Sequence, residues 1–152
     1  MKSVFDDLSA QCSKRATQQY STSFSLGIKL LDKSLHRPIY GIYGFVRFAD
    51  EIVDSFHDYN KEELLHEFRN NAFKAIHDGI SLNPILNEFQ KVVNEYNIDH
   101  KWIDTFLKSM KMDLDDKYHD LLSYEEYILG SAEVVGLMCL HVFVDGDNAK
   151  FK

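Results

Sequence analysis

Apolar residues recur at helical spacing through most of the chain, and six helical segments follow from them. The first is expected from about Val4 to Gln19, with Ser3 as N-cap and Asp6 and Asp7 in the first turn, where the helix dipole favours acids. The hydroxyl-rich stretch Tyr20-Ser21-Thr22-Ser23-Phe24-Ser25 then breaks the pattern. A second, long segment runs from near Pro38 to Phe56, because proline is welcome at the first helical position, where its missing N–H has no partner. Asn60, with Glu63 three residues on, makes a capping-box-like start for the third. This segment carries Leu64, Leu65, Phe68, Ala72, Phe73 and Ile76 at helical spacing and ends at Gly79. Asn83-Pro84 opens a fourth segment to about Tyr96. Asp99 opens a fifth, with Trp102, Ile103, Phe106, Leu107 and Met110 as its buried stripe. Ser123 and Glu126 form the capping box of the sixth, which reaches about Val144.

The sixth segment is apolar on every side, through Ile128, Leu129, Ala132, Val134, Val135, Leu137, Met138, Leu140, Val142, Phe143 and Val144. Such a helix belongs in the middle of a bundle, walled by others. Five earlier helices could surround it, but a further set of helices would do so more naturally, so the chain reads as part of a larger domain. As a membrane span, Tyr127 to Val144 is interrupted by Gly130, Glu133, Gly136 and His141, and charges inside spans are rare.

Composition sharpens the class. The 152 residues include only two prolines and seven glycines, which leaves little room for a turn-rich β protein. A globule of this size buries roughly 68–70% of its unfolded surface, so it needs no disulfide or structural metal. The net charge of −7 and the lack of any Lys/Arg-rich run argue against nucleic acid as a partner. An anionic ligand would have to be bridged by cations. Cys12 and Cys139 match no zinc spacing, and the start MKSVFDDLSA has acids where a signal peptide carries an apolar core. Both features lead to a cytoplasmic protein as the expectation.

Candidate chemistry is concentrated in Arg47-Phe48-Ala49-Asp50-Glu51-Ile52-Val53-Asp54. At roughly 100° per residue, Arg47, Asp50, Glu51 and Asp54 share one helical face. Three carboxylates there repel one another, and a hard cation would relieve the repulsion. Oxygen ligands suit Mg²⁺, which takes one or two carboxylates and completes its shell with water and phosphate oxygens. Arg47 could pair with a carboxylate or fork onto a phosphate. The plainer alternative is a solvated face with surface ion pairs worth under about 1 kcal/mol. Against it, the apolar run from Pro38 to Val46 sets these acids at the rim of an aromatic interior.

Three ordered stretches together resemble the squalene/phytoene synthases. They are Tyr20-Ser21-Thr22-Ser23-Phe24, the run Ile42-Tyr43-Gly44-Phe45-Val46 through Arg47 to Asp54, and Tyr127 with Gly130-Ser131-Ala132-Glu133-Val134-Val135-Gly136-Leu137-Met138. The resemblance covers the chain but only the N-terminal half of a typical member. It implies an all-α isoprenoid-synthase-type helical bundle, of which this chain supplies the first six or so helices. It also implies head-to-head joining of two allylic isoprenyl diphosphates, farnesyl or geranylgeranyl, through a cyclopropylcarbinyl diphosphate to a C30 or carotenoid-type C40 hydrocarbon. Mg²⁺ is the implied cofactor, with NADPH only for a squalene-type reduction.

Carried over residue by residue, Asp50 and Asp54 match the ends of the first aspartate-rich, Mg²⁺-binding motif, and Glu51 its second acidic position. Arg47 matches a phosphate-contacting arginine, and Ser21 and Ser23 a hydroxyl segment that approaches the diphosphate. Tyr20 takes a position that can also be histidine. Tyr127 matches a tyrosine near the reacting carbons, Tyr43 lies within the second stretch as a substrate-side residue, and Ala132, Val135, Gly136 and Leu137 line the hydrocarbon tunnel. Plainer roles stand beside these: Ser21 and Ser23 as helix caps, Tyr127 as a core aromatic, Ala132 and Gly136 as close-packing residues, His141 as a satisfied core histidine.

Two departures stand out. Glu133 replaces a glycine of the usual Val-Ala-Gly-x-Val-Gly pattern, and the second aspartate-rich motif is absent. Asp113, Asp115 and Asp116 precede the sixth segment and read as a solvated helix end. The resemblance therefore implies a missing C-terminal half, or a second subunit carrying the second motif, as a partner. Association with a membrane surface would suit the lipophilic product. The alternative is a non-catalytic helical scaffold or assembly factor derived from the same fold.

Overall fold

The computed structural model describes residues 1–115 and 120–144. Its elements are α1 (Lys2–Tyr20), α2 (Thr22–Lys29), α3 (Lys33–Ser55), α4 (Lys61–Asp78), α5 (Pro84–Tyr96), α6 (His100–Asp115) and α7 (Leu121–Phe143). A π-helical turn, Leu129–Glu133, interrupts α7. No strand occurs among the described residues. The all-α expectation holds.

Helix α3 is the axis of the bundle and packs on all the others. Its Phe45, fully buried, stacks on Phe89 of α5 with ring centroids 3.9 Å apart and lies 5.3 Å from Phe68 of α4. Phe106 of α6 closes the cluster at 5.7 Å. Four helices thus share one aromatic centre, and such rings dominate core energetics through their buried area. Helix α1 buries the small residues Ser9, Ser13 and Thr17, with Ser13 against α3 and Ser9 against α5. A Cβ at Gly44 would come within 3.1 Å of Ser13 Oγ, so the glycine sets how closely these helices approach.

A polar clamp ties α1, α3 and α5 together. Arg37 donates to both oxygens of the buried Glu88, at 2.8 and 3.3 Å, and to the Asp6 carbonyl at 3.2 Å. Asn87 donates to Asp6 at 3.0 Å and to Ser9 at 3.1 Å.

Several boundaries differ from the sequence expectation, each for a local reason. Helix α1 starts at Lys2 with no side-chain cap, so Ser3 lies inside it and Asp6 and Asp7 fall beyond the first turn. Asp6 pairs instead with Lys2, at 2.8 Å. The hydroxyl stretch is not a long break. Ser21 alone is extended, and its hydroxyl caps α2 by accepting from the Phe24 N–H at 3.1 Å. Helix α3 begins ahead of Pro38, capped by Asp32, which accepts from the Ser34 N–H at 2.9 Å. Pro38 removes only one backbone bond near the helix start, and Arg37 beside it is anchored by the clamp. Helix α7 is capped by Asp120, not Ser123; Ser123 is the reciprocal partner in that box, with Asp120 accepting from its N–H at 2.8 Å. The starts at Asn60 and Asn83 and the left-handed ends at Gly79 and Asn97 match the reading or extend it.

Helix α7 is long and apolar enough, by length and composition, to cross a membrane, yet only 28% of its apolar window is buried. Val134, Met138 and Val142 pack inward, while Leu129, Leu140 and Phe143 are exposed. The five preceding segments therefore do not wall this helix on every side. His141 is buried as expected, its Nε2 2.7 Å from the Tyr96 carbonyl.

Candidate active site

The acidic ridge occupies the last turns of α3. Residues 47, 50, 51 and 54 share a face by helical geometry, but their surroundings divide them into two sets. Asp50 and Asp54 turn toward α6 and α7; Glu51 turns toward the end of α1. The division is electrostatic as well as geometric.

Asp50 is half-buried, and its carboxyl is pushed up to about 6. Burial is the main cause. Arg47 opposes the shift, while the negative charges of Asp54, Asp113 and Glu51 add to it. Asp54 itself is exposed. Asp113, on α6, is half-buried and faces this pair, which corrects the expectation of a solvated helix end. Asp115 is likewise half-buried, and Asp116 lies outside the described residues. The sequence signal for Asp113 was its position three residues after the buried Met110, on the inward side of the helix.

Tyr127 of α7 joins the same group. Its hydroxyl is held above the usual tyrosine range, first by burial and then by the charges of Asp113, Asp50 and Asp54, against a hydrogen bond with Ser131. It lies two residues ahead of the π-helical turn. A Cβ on Gly130 in that turn would meet Ser109 Cβ and the Thr105 carbonyl oxygen, both at 2.6 Å. Only glycine lets the turn press on α6 and carry Tyr127 to the acids.

Arg47 sits between the two sets, with its side chain 19% exposed. Its guanidinium is 2.7 Å from Glu51 and 3.7 Å from Asp50. It lies 4.6 Å over the ring of Tyr20, a cation–π distance. Its Nε is buried and has no hydrogen-bond acceptor.

The other sequence-marked residues fall as follows. Tyr43 is half-buried and stacks on Phe24 at 4.7 Å, tying α2 to α3. Ser21 is the α2 cap and Ser23 is exposed. Ala132 and Gly136 are exposed and Val135 and Leu137 half-buried, so the described residues do not enclose a tunnel around them. A Cβ at Gly136 would meet open space.

Among the described residues, no group of three or more His, Cys, Asp or Glu side chains converges to hold an ion unaided. The donor set nevertheless fits Mg²⁺, a hard cation that is satisfied by one or two carboxylates with water and phosphate making up the rest.

The squalene/phytoene synthase family profile matches residues 17–151. The crystal structure of a dehydrosqualene synthase in complex with ligand superposes with a TM-score of 0.79 at 21% identity, over 90% of this chain and 48% of that one. At that identity the likeness speaks to the fold, and the chain spans about half the length of the structure it matches. No curated protein matches the sequence. The family profile covers nearly all of the described bundle, including the ridge and both stretches that flank it: the chain belongs to the squalene/phytoene synthase family.

Proposed function

We propose that the Asp50–Asp54 ridge takes a Mg²⁺-bound diphosphate of an allylic isoprenyl substrate, and that the chain is one half of a head-to-head prenyltransferase site. The observation that carries this is Arg47: a buried Nε donor with no acceptor, next to Asp50, whose carboxyl is lifted to about 6 by burial and then by the neighbouring negative charges. A diphosphate oxygen would satisfy the donor, and its counter-ion the acids. Bound Mg²⁺ would neutralise charge on the departing diphosphate.

The protein's own groups do the rest. Arg47 offers its guanidinium to the leaving group, favouring ionisation to an allylic cation. Tyr127 sets a hydroxyl dipole beside the acids, and the apolar side of α7, once covered by a further helical half, would exclude water that quenches the cation. Farnesyl or geranylgeranyl diphosphate is the substrate class, with a C30 or C40 hydrocarbon as product; NADPH enters only for a reduced C30 product. The free thiols Cys12 and Cys139 support a reducing, cytoplasmic setting, and the lipophilic product a membrane surface. The open apolar side of α7 supports a further helical half as partner, from the same polypeptide or a second one.

The test is retention of farnesyl diphosphate by the purified chain, compared with farnesol, in Mg²⁺ and in chelator. Retention of the diphosphate only, dependent on Mg²⁺ and lost in Asp50→Asn, is the expected result, with little turnover. Equal retention of farnesol, or retention that survives chelation, contradicts the proposal. Rapid turnover by the chain alone would overturn the half-site reading.

A further inference from the structure

Glu51 stands apart from the two aspartates beside it. It is rotated about 100° around α3 from Asp50 and about 60° from Asp54. Its carboxylate is bound by the Arg47 guanidinium at 2.7 Å, with the Ser55 and Tyr20 hydroxyls beside it. Next to Glu51 lies a cavity of about 410 Å³, lined by Tyr20, Phe48, Phe56 and Phe68 together with the polar Glu67 and Asn71.

Tyr20 closes the arrangement. Its ring lies 4.6 Å under the guanidinium while its hydroxyl reaches Glu51. Arg47 is thus gripped on one edge by a carboxylate and on one face by an aromatic ring. Its Nε is left buried without an acceptor.

We infer that Glu51 and Tyr20 are positioning residues that lock the Arg47 guanidinium toward the diphosphate, and that Glu51 is not a metal ligand. An arginine side chain carries about 2 kcal/mol of rotamer freedom. Holding it in place before the anion arrives removes that ordering from the binding step. The inference rests on the diphosphate reading of Arg47 and narrows the metal site to Asp50 and Asp54.

Two measurements on the purified chain test it. The first is paramagnetic titration with Mn²⁺ alone, then with inorganic pyrophosphate at saturating Mg²⁺. Glu51→Gln is expected to keep Mn²⁺ affinity within about twofold and to weaken pyrophosphate about tenfold, the usual scale for one charge-assisted bond. Tyr20→Leu should weaken pyrophosphate similarly, while Tyr20→Phe, which keeps the ring, should retain most of it. The second is the NMR Nε–H signal of Arg47 in the ligand-free chain. It should report hindered guanidinium rotation in the native protein and free rotation in Tyr20→Leu and Glu51→Gln. A Glu51→Gln chain that loses Mn²⁺ tenfold, or a Tyr20→Leu chain with unchanged pyrophosphate affinity and unchanged Arg47 rotation, overturns the inference. A native chain that binds Mn²⁺ but no pyrophosphate instead overturns the diphosphate reading itself, and with it the target toward which Arg47 is locked.

Discussion

Asp113 on α6 and Asp50 on α3 come from distant parts of the sequence, yet the charge on one raises the titration of the other. The charges of three carboxylates on two helices, Asp113, Asp50 and Asp54, also act on the Tyr127 hydroxyl. Removing the α6 charge should therefore be felt on α3. In Asp113→Asn the Asp50 carboxyl is expected to fall below about 6, but only part of the way to its ordinary value, because burial is the larger cause and persists. Carbon-13 carboxyl titration by NMR measures this; an unmoved Asp50 would mean that the two groups are not neighbours.

Asp50 also links stability to pH. Its carboxyl titrates at about 6 in the fold against 3.8 as the reference value. Between those values the native chain holds a proton that the unfolded chain has released. Stability accordingly falls as pH rises through that window and stays reduced above it. The difference corresponds to at most roughly 3 kcal/mol. Because the side chain is 35% exposed, solvent screening brings it to about 1 kcal/mol. Asp50→Asn should raise the melting temperature of the cation-free chain at neutral pH and flatten its pH dependence. Denaturant melts across that range check the sign.

The clamp between Arg37 and Glu88 joins α1 and α3 to α5, and the Glu88 side chain is only 2% exposed. Arg37→Met would leave a buried carboxylate uncompensated. Breaking a fully buried pair costs roughly 3–5 kcal/mol; with Arg37 itself 40% exposed, about 2–3 kcal/mol is expected here. Replacing both partners together, Arg37→Met with Glu88→Leu, should recover much of that loss. Urea unfolding of the single and double variants decides it.

Two glycines on one helix should behave oppositely. Gly130→Ala drives a methyl into Ser109 and the Thr105 carbonyl, an overpacking worth about 1–3 kcal/mol. Gly136 has open space where its Cβ would go, so Gly136→Ala should gain up to about 1 kcal/mol from helix propensity. Thermal melts compare them directly. Equal effects would mean that the π-helical turn is not pressed onto α6.

The bundle was legible in the sequence because its core residues repeat at helical spacing and because Asn60, Asn83, Gly79 and Pro84 carry their own local signals. The failures cluster where a local signal competed with a distant partner. Pro38 looked like a helix start, but Asp32 supplies a cap upstream and Glu88, far along the chain, fixes Arg37. Ser123 looked like a cap until Asp120 claimed it. The ridge on α3 was legible as a face, since helical rotation alone aligns its residues. Its division was not, because Tyr20, Asp113 and Tyr127 reach it only through tertiary packing. Asp113 was missed for that reason: three acids close together in sequence resemble a solvated end, and its place one turn after the buried Met110 was the weaker signal.

The central claim is that Asp50 and Asp54 hold a divalent cation against a diphosphate. Calorimetric titration of the chain with inorganic pyrophosphate, with and without Mg²⁺, tests it most directly. Binding heat only when Mg²⁺ is present, abolished by either Asp50→Asn or Asp54→Asn in chains that remain folded, is the predicted result. Pyrophosphate binding that is indifferent to Mg²⁺, or that survives both substitutions, would contradict it.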